Sequence, residues 1–145
     1  MTKIFAIDPG MFKCGVVIAD INQRIVLEAL VIKSKNLLSY AEKICRKEEE
    51  LKFIIGNGTS SQRYINELKA LNSNLVIVDE TNSTYRAKQR YFEIFPLKGL
   101  KNFLPKEIFI LNKNLDALAA LVIMEDYFNY KFKISELISI KTWLK

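Results

Sequence analysis

The chain has 145 residues, half of them hydrophobic, with 22 basic and 16 acidic side chains, two cysteines and no histidine. This composition excludes wholesale disorder, and the lack of histidine excludes Ser-His-Asp and Cys-His catalysis and most zinc sites. No apolar run approaches a membrane span and no signal peptide is visible before the first predicted strand, so we expect a single cytoplasmic domain over residues 1–145.

Three strand-like segments come first in the chain. Residues 3–8, 14–20 and 24–33 are short, rich in Val and Ile, and separated by tight turns. This arrangement is typical of an antiparallel meander.

The hydrophobic period then alternates between that of helices and that of strands. The pattern predicts, in chain order, a helix over 36–51, a strand at 53–55, a helix capped by Thr59 or Ser60, a strand at 75–78 and a helix over 83–94. An α/β fold follows, with a mixed five-stranded sheet of three antiparallel and then two parallel strands, flanked by helices.

The last third of the chain is less regular. Residues 96–105 form a basic loop marked by Pro and Gly, and 109–111 could be a short extended piece. Residues 114–128 are apolar on nearly every face, which predicts a deeply buried helix. Residues 129–145 are a basic, aromatic C-terminal extension that could add one more short helix.

Carboxylates stand at three unusual places in this pattern. Asp8 ends the first strand, Asp79 and Glu80 follow the strand at 75–78, and Asp116 begins the apolar helix. Each has an ordinary structural explanation. Asp8 fits an Asp-Pro-Gly turn, Asp79 can cap the next helix, and Asp116 complements a helix dipole.

Taken together, Asp8, Glu80 and Asp116 suggest more than each does alone. The first and fifth strands should be parallel, so their ends share one edge of the sheet, where sites of α/β proteins gather. A cluster of carboxylates repels itself unless cations occupy it, and oxygen-only ligands favour Mg²⁺ or Mn²⁺. Two such ions about 4 Å apart form the clamp used in phosphodiester hydrolysis.

Three motifs in the right order resemble those of a known family. Ile-Asp-Pro-Gly at 7–10 with Gly15, Asp-Glu-Thr-Asn-Ser-Thr at 79–84 with Ala87, and Asp-Ala-Leu-Ala-Ala at 116–120 resemble motifs of RuvC-type Holliday junction resolvases and the related YqgF group of nucleases. The similarity covers about residues 3–128. It implies a ribonuclease H-like fold, which agrees with the order of the predicted elements.

The resemblance also implies an activity. It makes Asp8, Glu80 and Asp116 the catalytic, metal-binding residues, with Mg²⁺ or Mn²⁺ (two ions) as cofactor, and it implies a nucleic-acid substrate and a homodimer. The expected function is a metal-dependent endonuclease acting on branched DNA or on structured precursor ribosomal RNA. Two departures bear on activity, because Thr81 stands where an Arg is usual and Lys113 where many relatives carry an acid or a His.

The segment 81–106 carries most of the excess positive charge. It has six basic residues against Glu93 alone, with aromatic residues between them. The predicted nucleic-acid-binding residues are Lys13, Arg86, Lys88, Arg90, Lys98, Lys101 and Lys106. The alternative is a solvated helix face with core aromatics.

Other interpretations stay open at this point. A catalytically inactive nucleic-acid-binding or dimerising protein on the same fold is the main alternative, and Thr81 and Lys113 motivate it. An actin-like ATPase shares a similar first hairpin, but 145 residues are too few for its two lobes. Residues 56–60 fit a turn and helix cap, with Asn57 at the edge of the site.

Overall fold

A computed structural model describes residues 2–111 and 113–135. Its centre is a mixed sheet with the strand order β5-β4-β1-β2-β3-β6. β1, β2 and β3 form an antiparallel meander, β4 and β5 run parallel to β1, and β6 runs parallel to β3. The strands are β1 Lys3–Asp8, β2 Lys13–Asp20, β3 Ile25–Lys33, β4 Leu51–Gly56, β5 Leu75–Val78 and β6 Lys133–Ile134.

Two pairs of helices cover the two faces of this sheet. α1 Leu37–Cys45 and α2 Gln62–Leu71 pack on one face, and α3 Ser83–Ile94 and α4 Asp116–Phe128 pack on the other. Every residue from 117 to 125 in α4 is buried, which confirms the deeply buried helix predicted from its apolar composition. None of the helices in the described ranges is long and apolar enough to cross a membrane.

Strand alternation decides which side chains face α4. Ile4 and Ala6 of β1 belong to the core that contains α4, whereas Phe5 and Ile7 belong to the core under α1 and α2. Asp8 continues the first series, so its carboxylate lies on the α4 face at the carboxyl end of β1. β4 and β5 are parallel to β1, and their carboxyl ends therefore lie at the same edge.

Several predicted boundaries were wrong. The helix predicted over 36–51 ends at Cys45, because the chain must reach Leu51 in time to pair with Lys3 of β1. Neither Thr59 nor Ser60 caps α2, which begins at Gln62. Residues 109–111 are not extended, since a short 3₁₀ turn over Lys106–Phe109 runs into them and the Ile110 N–H donates to the Glu107 carbonyl.

The C-terminal extension changes the strand count. Residues 133–134 form β6 beside β3, so the sheet has six strands rather than the predicted five. Phe132 just before it is 1% exposed and belongs to the α4 core. The further short helix predicted in the extension lies outside the described residues. So do the basic and aromatic residues Lys141, Trp143 and Lys145 near its end.

Candidate active site

Asp8 stands at the centre of the site. It is the last residue of β1 and pairs with Gly15 of β2, while its neighbour Ile7 pairs with Ile55 of β4. The pKa of the Asp8 carboxyl is raised to about 7, first by burial and then by the negative charges of Glu80 and Asp116. The three predicted carboxylates are therefore close enough for two of them to act on the third.

Glu80 lies in a cradle formed by the turn after β4. The Gly58 N–H donates to its carboxylate, and Asn57 Oδ1 accepts the Glu80 backbone N–H at 3.1 Å. A Cβ at Gly56 or at Gly58 would overlap this carboxylate, so the two glycines leave it room to lie against the turn. Burial raises the pKa of Glu80.

One oxygen of Glu80 has no protein partner. Glu80 Oε2 is buried and accepts no hydrogen bond from any residue in the described ranges. A buried carboxylate oxygen without a donor is costly unless a cation or water satisfies it. This orphaned oxygen is the local observation that fits a metal ligand.

Asp116 reaches the site because α4 approaches the sheet closely. A Cβ at Gly15 would overlap the Asp116 carbonyl oxygen, so the glycine allows the first turn of α4 to lie against β2. Asn114 Oδ1 accepts the Asp116 backbone N–H at 3.1 Å and fixes the start of the helix. Burial raises the pKa of Asp116, while a separate hydrogen bond from the Asn114 side chain to the carboxylate and the charge of Lys13 lower it.

The donor set suits Mg²⁺ or Mn²⁺ better than a softer metal, because it consists of oxygens alone. Within the described ranges, no three His, Cys, Asp or Glu side chains are arranged to hold a metal by themselves. Mg²⁺ commonly keeps several waters and binds through one or two carboxylates plus substrate phosphate. A metal bound by Asp8, Glu80 or Asp116 would therefore need water or substrate oxygens as its other ligands.

Asp79, the other acid of the pair, belongs to a local turn. Its Oδ1 accepts the Thr81 N–H at 2.9 Å and the Thr81 hydroxyl at 2.6 Å, and these bonds lower the pKa of Asp79. The residue before α3 is Asn82, in the left-handed region with φ of 61°. The prediction that Asp79 caps α3 was therefore wrong, because its carboxylate closes the turn ahead of the helix.

Two of the seven predicted nucleic-acid-binding residues are engaged in ion pairs within the protein. Arg90 is 12% exposed, and its Nη2 lies 2.9 Å from Oε1 of the buried Glu125 and 2.8 Å from the Phe132 carbonyl oxygen. Arg86 pairs with Asp126 and donates to the Thr81 carbonyl. These two guanidinium groups hold α3 to α4 and to the C-terminal extension.

Exposed lysines account for the rest of that set. Lys88 lines a cleft of about 650 Å³ beside Asp116, together with Thr84 and Lys113. Lys106 lies over the Phe92 ring, 5.5 Å from its centroid. Lys98 and Lys101 are also exposed, and Lys13 acts electrostatically on Asp116. Binding of nucleic acid by these lysines stays a prediction.

The aromatic residues of the segment 81–106 divide into two groups. Tyr91 is 9% exposed and packs with Phe95 in the core, with ring centroids 5.0 Å apart. Tyr85 and Phe103 are 62% and 84% exposed. The alternative that these aromatic residues belong to the hydrophobic core therefore holds for the first group and not for Tyr85 and Phe103.

The sequence places Asn57 at the edge of the site but gives no role there to Gly56 and Gly58. In the structure all three contact Glu80, because the two glycines leave room for its carboxylate and Asn57 accepts its backbone N–H. The available signal was a pair of glycines around an Asn at the carboxyl end of a buried strand. The buried pair of Glu125 with Arg90 was missed as well, although a lone Glu in the apolar helix was visible.

Comparison with known proteins identifies the fold. No family model matches the chain, and no curated protein matches it. A Thermus thermophilus RuvC structure superposes with a TM-score of 0.53 at 10% sequence identity, covering 88% of this chain and 95% of that one. The T. thermophilus RuvC complex with a Holliday junction substrate has a TM-score of 0.47 at 12% identity, covering 89% and 96%. The predicted fold is thereby confirmed: this chain has the ribonuclease H-like fold of RuvC.

Proposed function

We propose that the protein is a divalent-metal-dependent endonuclease that hydrolyses phosphodiester bonds in branched DNA or structured RNA. The observation that carries this proposal is the convergence on Asp8, whose pKa is raised by burial and by the charges of Glu80 and Asp116. The orphaned Glu80 Oε2 supports it, because that oxygen lacks the positive partner that a cation would provide. The RuvC fold agrees with it.

Each carboxylate has a defined part in this proposal. Asp8, Glu80 and Asp116 would hold the metal ions through their carboxylate oxygens. Glu80 is held in place by Gly58 and Asn57, and Asp116 is fixed at the start of α4. When bound, Mg²⁺ or Mn²⁺ ions stabilise the attacking and leaving oxygens of the phosphodiester. The protein's own contribution is to hold these oxygens at one edge of a rigid sheet.

The exposed lysines would bind the backbone of the substrate. Lys88 and Lys113 line the cleft next to Asp116, and Lys13 lies near the same carboxylate. Contacts of this kind are largely independent of sequence and weaken as salt rises. Arg86 and Arg90 are left out of this surface, because both are engaged in ion pairs within the protein.

The test is cleavage of a substrate panel by the full chain at low salt with Mn²⁺ or Mg²⁺. The panel contains a four-way DNA junction, a flap, a duplex and a precursor ribosomal RNA. We expect Asp8→Asn to lower cleavage at least about 100-fold while leaving binding largely intact. Asp79→Asn is the matched control, since Asp79 neighbours Glu80 but closes a separate turn that Asn can also form. Unchanged cleavage by Asp8→Asn would refute the mechanism.

The second candidate is a nucleic-acid-binding protein without nuclease activity. Lys13 near Asp116 favours it, because a lysine ammonium can take over part of the charge that a second ion would supply. Strong binding by the unmodified chain, with no cleavage of any panel member in either metal, would support this candidate. The homodimer stays a prediction, which analytical ultracentrifugation of the full chain would check.

A further inference from the structure

The hairpin between β1 and β2 presents two large apolar side chains to solvent beside the acidic site. Met11 is 64% exposed and Phe12 is 78% exposed. They lie between Asp8, which ends β1, and Lys13, which begins β2. Neither the nuclease chemistry nor the core of the protein uses them.

The backbone of this hairpin is well held. The Ser34 N–H donates to the Phe12 carbonyl at 2.9 Å, and the Ser34 hydroxyl donates to the Gly10 carbonyl at 2.9 Å. Ser34 itself is 4% exposed. A Cβ at Gly10 would overlap the Lys13 carbonyl, so the turn is also tight. The exposed Phe12 ring is therefore carried by a fixed backbone, which lowers the entropy lost when it binds something.

Two lysines flank the hairpin on the side of the acidic site. Lys13 and Lys33 are directly opposite each other in the antiparallel pair of β2 and β3, and both are exposed. Directly opposed side chains share a face, and this face is that of α4, because Val17 and Ala29 of the same strands belong to its core. Neither lysine forms an ion pair with a residue in the described ranges.

Like charges directly opposite each other destabilise a sheet unless an anion lies between them. The pair of Lys13 and Lys33 therefore suits phosphate groups, and Phe12 beside it suits the face of a base. An aromatic ring can stack only on a base whose face is free, which a continuous duplex does not provide. The adjacent carboxylates would lie next to the same stretch of backbone.

We propose that this hairpin binds an unstacked base of the substrate through Phe12, while Lys13 and Lys33 bind the flanking phosphates. The inference rests on the proposed nuclease function and narrows its substrate class. The preferred nucleic acid has an unpaired or unstacked nucleotide beside the phosphate that is cut, as at a branch point, flap or bulge. Single-stranded segments of DNA and RNA share this chemistry.

The test measures binding by the full chain with Ca²⁺ in place of Mg²⁺. The probes are a four-way DNA junction with 2-aminopurine at the branch point, an RNA stem with a 2-aminopurine bulge, and a continuous DNA duplex. The variants are Phe12→Ala, Phe12→Leu, Lys33→Gln and the control Lys69→Gln. Lys69 is an exposed lysine of α2, on the opposite face of the sheet.

The unmodified chain should bind at least one branched or bulged probe more tightly than the duplex and quench its 2-aminopurine. Phe12→Ala should weaken that binding by about 5- to 100-fold and remove the quenching, with no effect on the duplex. Phe12→Leu should behave like Phe12→Ala, because leucine is apolar but has no ring to stack. The probe that responds, DNA or RNA, identifies the source of the base.

Lys33→Gln should weaken binding to every probe and lower the salt dependence by about one counterion, whereas Lys69→Gln should change neither. Junction binding and quenching by Phe12→Ala equal to those of the unmodified chain would overturn the inference and leave the nuclease proposal standing. Failure of the unmodified chain to bind any probe would overturn both.

Discussion

The two ends of α4 carry acidic residues that the protein treats in opposite ways. At the amino end, Asp116 joins Asp8 and Glu80, where like charges gather and Glu80 Oε2 has no partner in the described chain. At the carboxyl end, the buried Glu125 accepts hydrogen bonds from Arg90 and from the Phe132 N–H. At one end a buried carboxylate oxygen lacks a partner within the described residues, and at the other the carboxylate is fully hydrogen-bonded.

The difference separates a group of unpaired carboxylates from a carboxylate with a complete set of partners. Carboxylates that are buried near one another and unpaired destabilise a fold in the absence of an ion, so their presence calls for a ligand. Carboxylates with a complete set of partners hold elements together, and their removal leaves a buried cation unpaired. Removing one carboxylate from each of the two groups should therefore change stability in opposite directions.

The largest effect is expected at the carboxyl end. Glu125→Ala should lower the free energy of unfolding by about 3–5 kcal/mol, because Arg90 would lose its buried partner and keep only the exposed Glu93 as a counter-charge. Glu93→Ala is the control, since Glu93 is an exposed partner of the same arginine and should cost less than about 1 kcal/mol. Urea denaturation followed by circular dichroism measures both. Equal losses would mean that burial of Glu125 is unimportant.

Removing the charge of Asp8, which acts on Asp116 at the amino end of α4, should instead raise the free energy of unfolding. Because the pKa of Asp8 is raised from its ordinary value to about 7, the folded state holds this proton more tightly than the unfolded state. Its contribution to stability is therefore complete below about pH 4 and is lost as the pH rises to about 7.

Asp8→Asn removes the cost of holding a charged Asp8 carboxylate in the folded protein at high pH. In EDTA the variant should be more stable than the unmodified chain by about 1–3 kcal/mol at pH 8, with little difference near pH 4. Denaturant titrations at the two pH values check this. Addition of Mg²⁺ at pH 8 should stabilise only the unmodified chain. A variant less stable at pH 8 than the unmodified chain would contradict the assignment of Asp8 to an unpaired cluster.

Gly58→Ala should change the position of Glu80 with little change in the free energy of unfolding. In Gly58→Ala the added methyl group would displace the Glu80 carboxylate, which is the end of a flexible side chain. We expect cleavage to fall about 10- to 100-fold while the free energy of unfolding changes by less than about 1 kcal/mol. Initial rates and a denaturation curve of the same preparation give both numbers. A large loss of stability would show that Gly58 supports the fold rather than Glu80.

Loss of a single hydrogen bond is expected at Asn57, whose Oδ1 accepts the Glu80 N–H. Asn57→Ala should cost about 0.5–1.5 kcal/mol, since one hydrogen bond is lost at an exposed turn. Asn57→Ser keeps an oxygen that can accept a hydrogen bond without adding a charge beside Glu80, and it serves as the matched control for that bond. Thermal melts of the two variants in EDTA measure the difference. Equal melting temperatures would show that the bond contributes nothing.

The sheet meander and the buried helix could be predicted, because they depend on strand alternation and on a continuous apolar run. The motifs around Asp8, Glu80 and Asp116 placed the carboxylates at strand ends and at a helix start, where the structure has them. The structural closeness of these groups rests on Gly15 and on the turn at 56–58. Their contacts join residues far apart in sequence and leave no periodic signal.

Charge patterning was a weaker guide. Arg86 and Arg90 share a helix face, as their spacing of four indicates, but that face is turned toward α4 and its acidic residues. The sequence shows which residues share a face and not which partner covers it. The same limit explains β6, because two residues that complete the edge of a sheet have no pattern of their own.

The return of the chain after α4 has a practical consequence for work with shortened proteins. Phe132 is buried, its N–H is bound by Glu125 and its carbonyl by Arg90, and Lys133 and Ile134 lie along β3. The family resemblance covers only about residues 3–128, and a shortened protein could be cut after residue 128 on that basis. Such a cut would expose a core surface and strip a buried ion pair of its backbone contacts, so expression boundaries should be placed beyond residue 135.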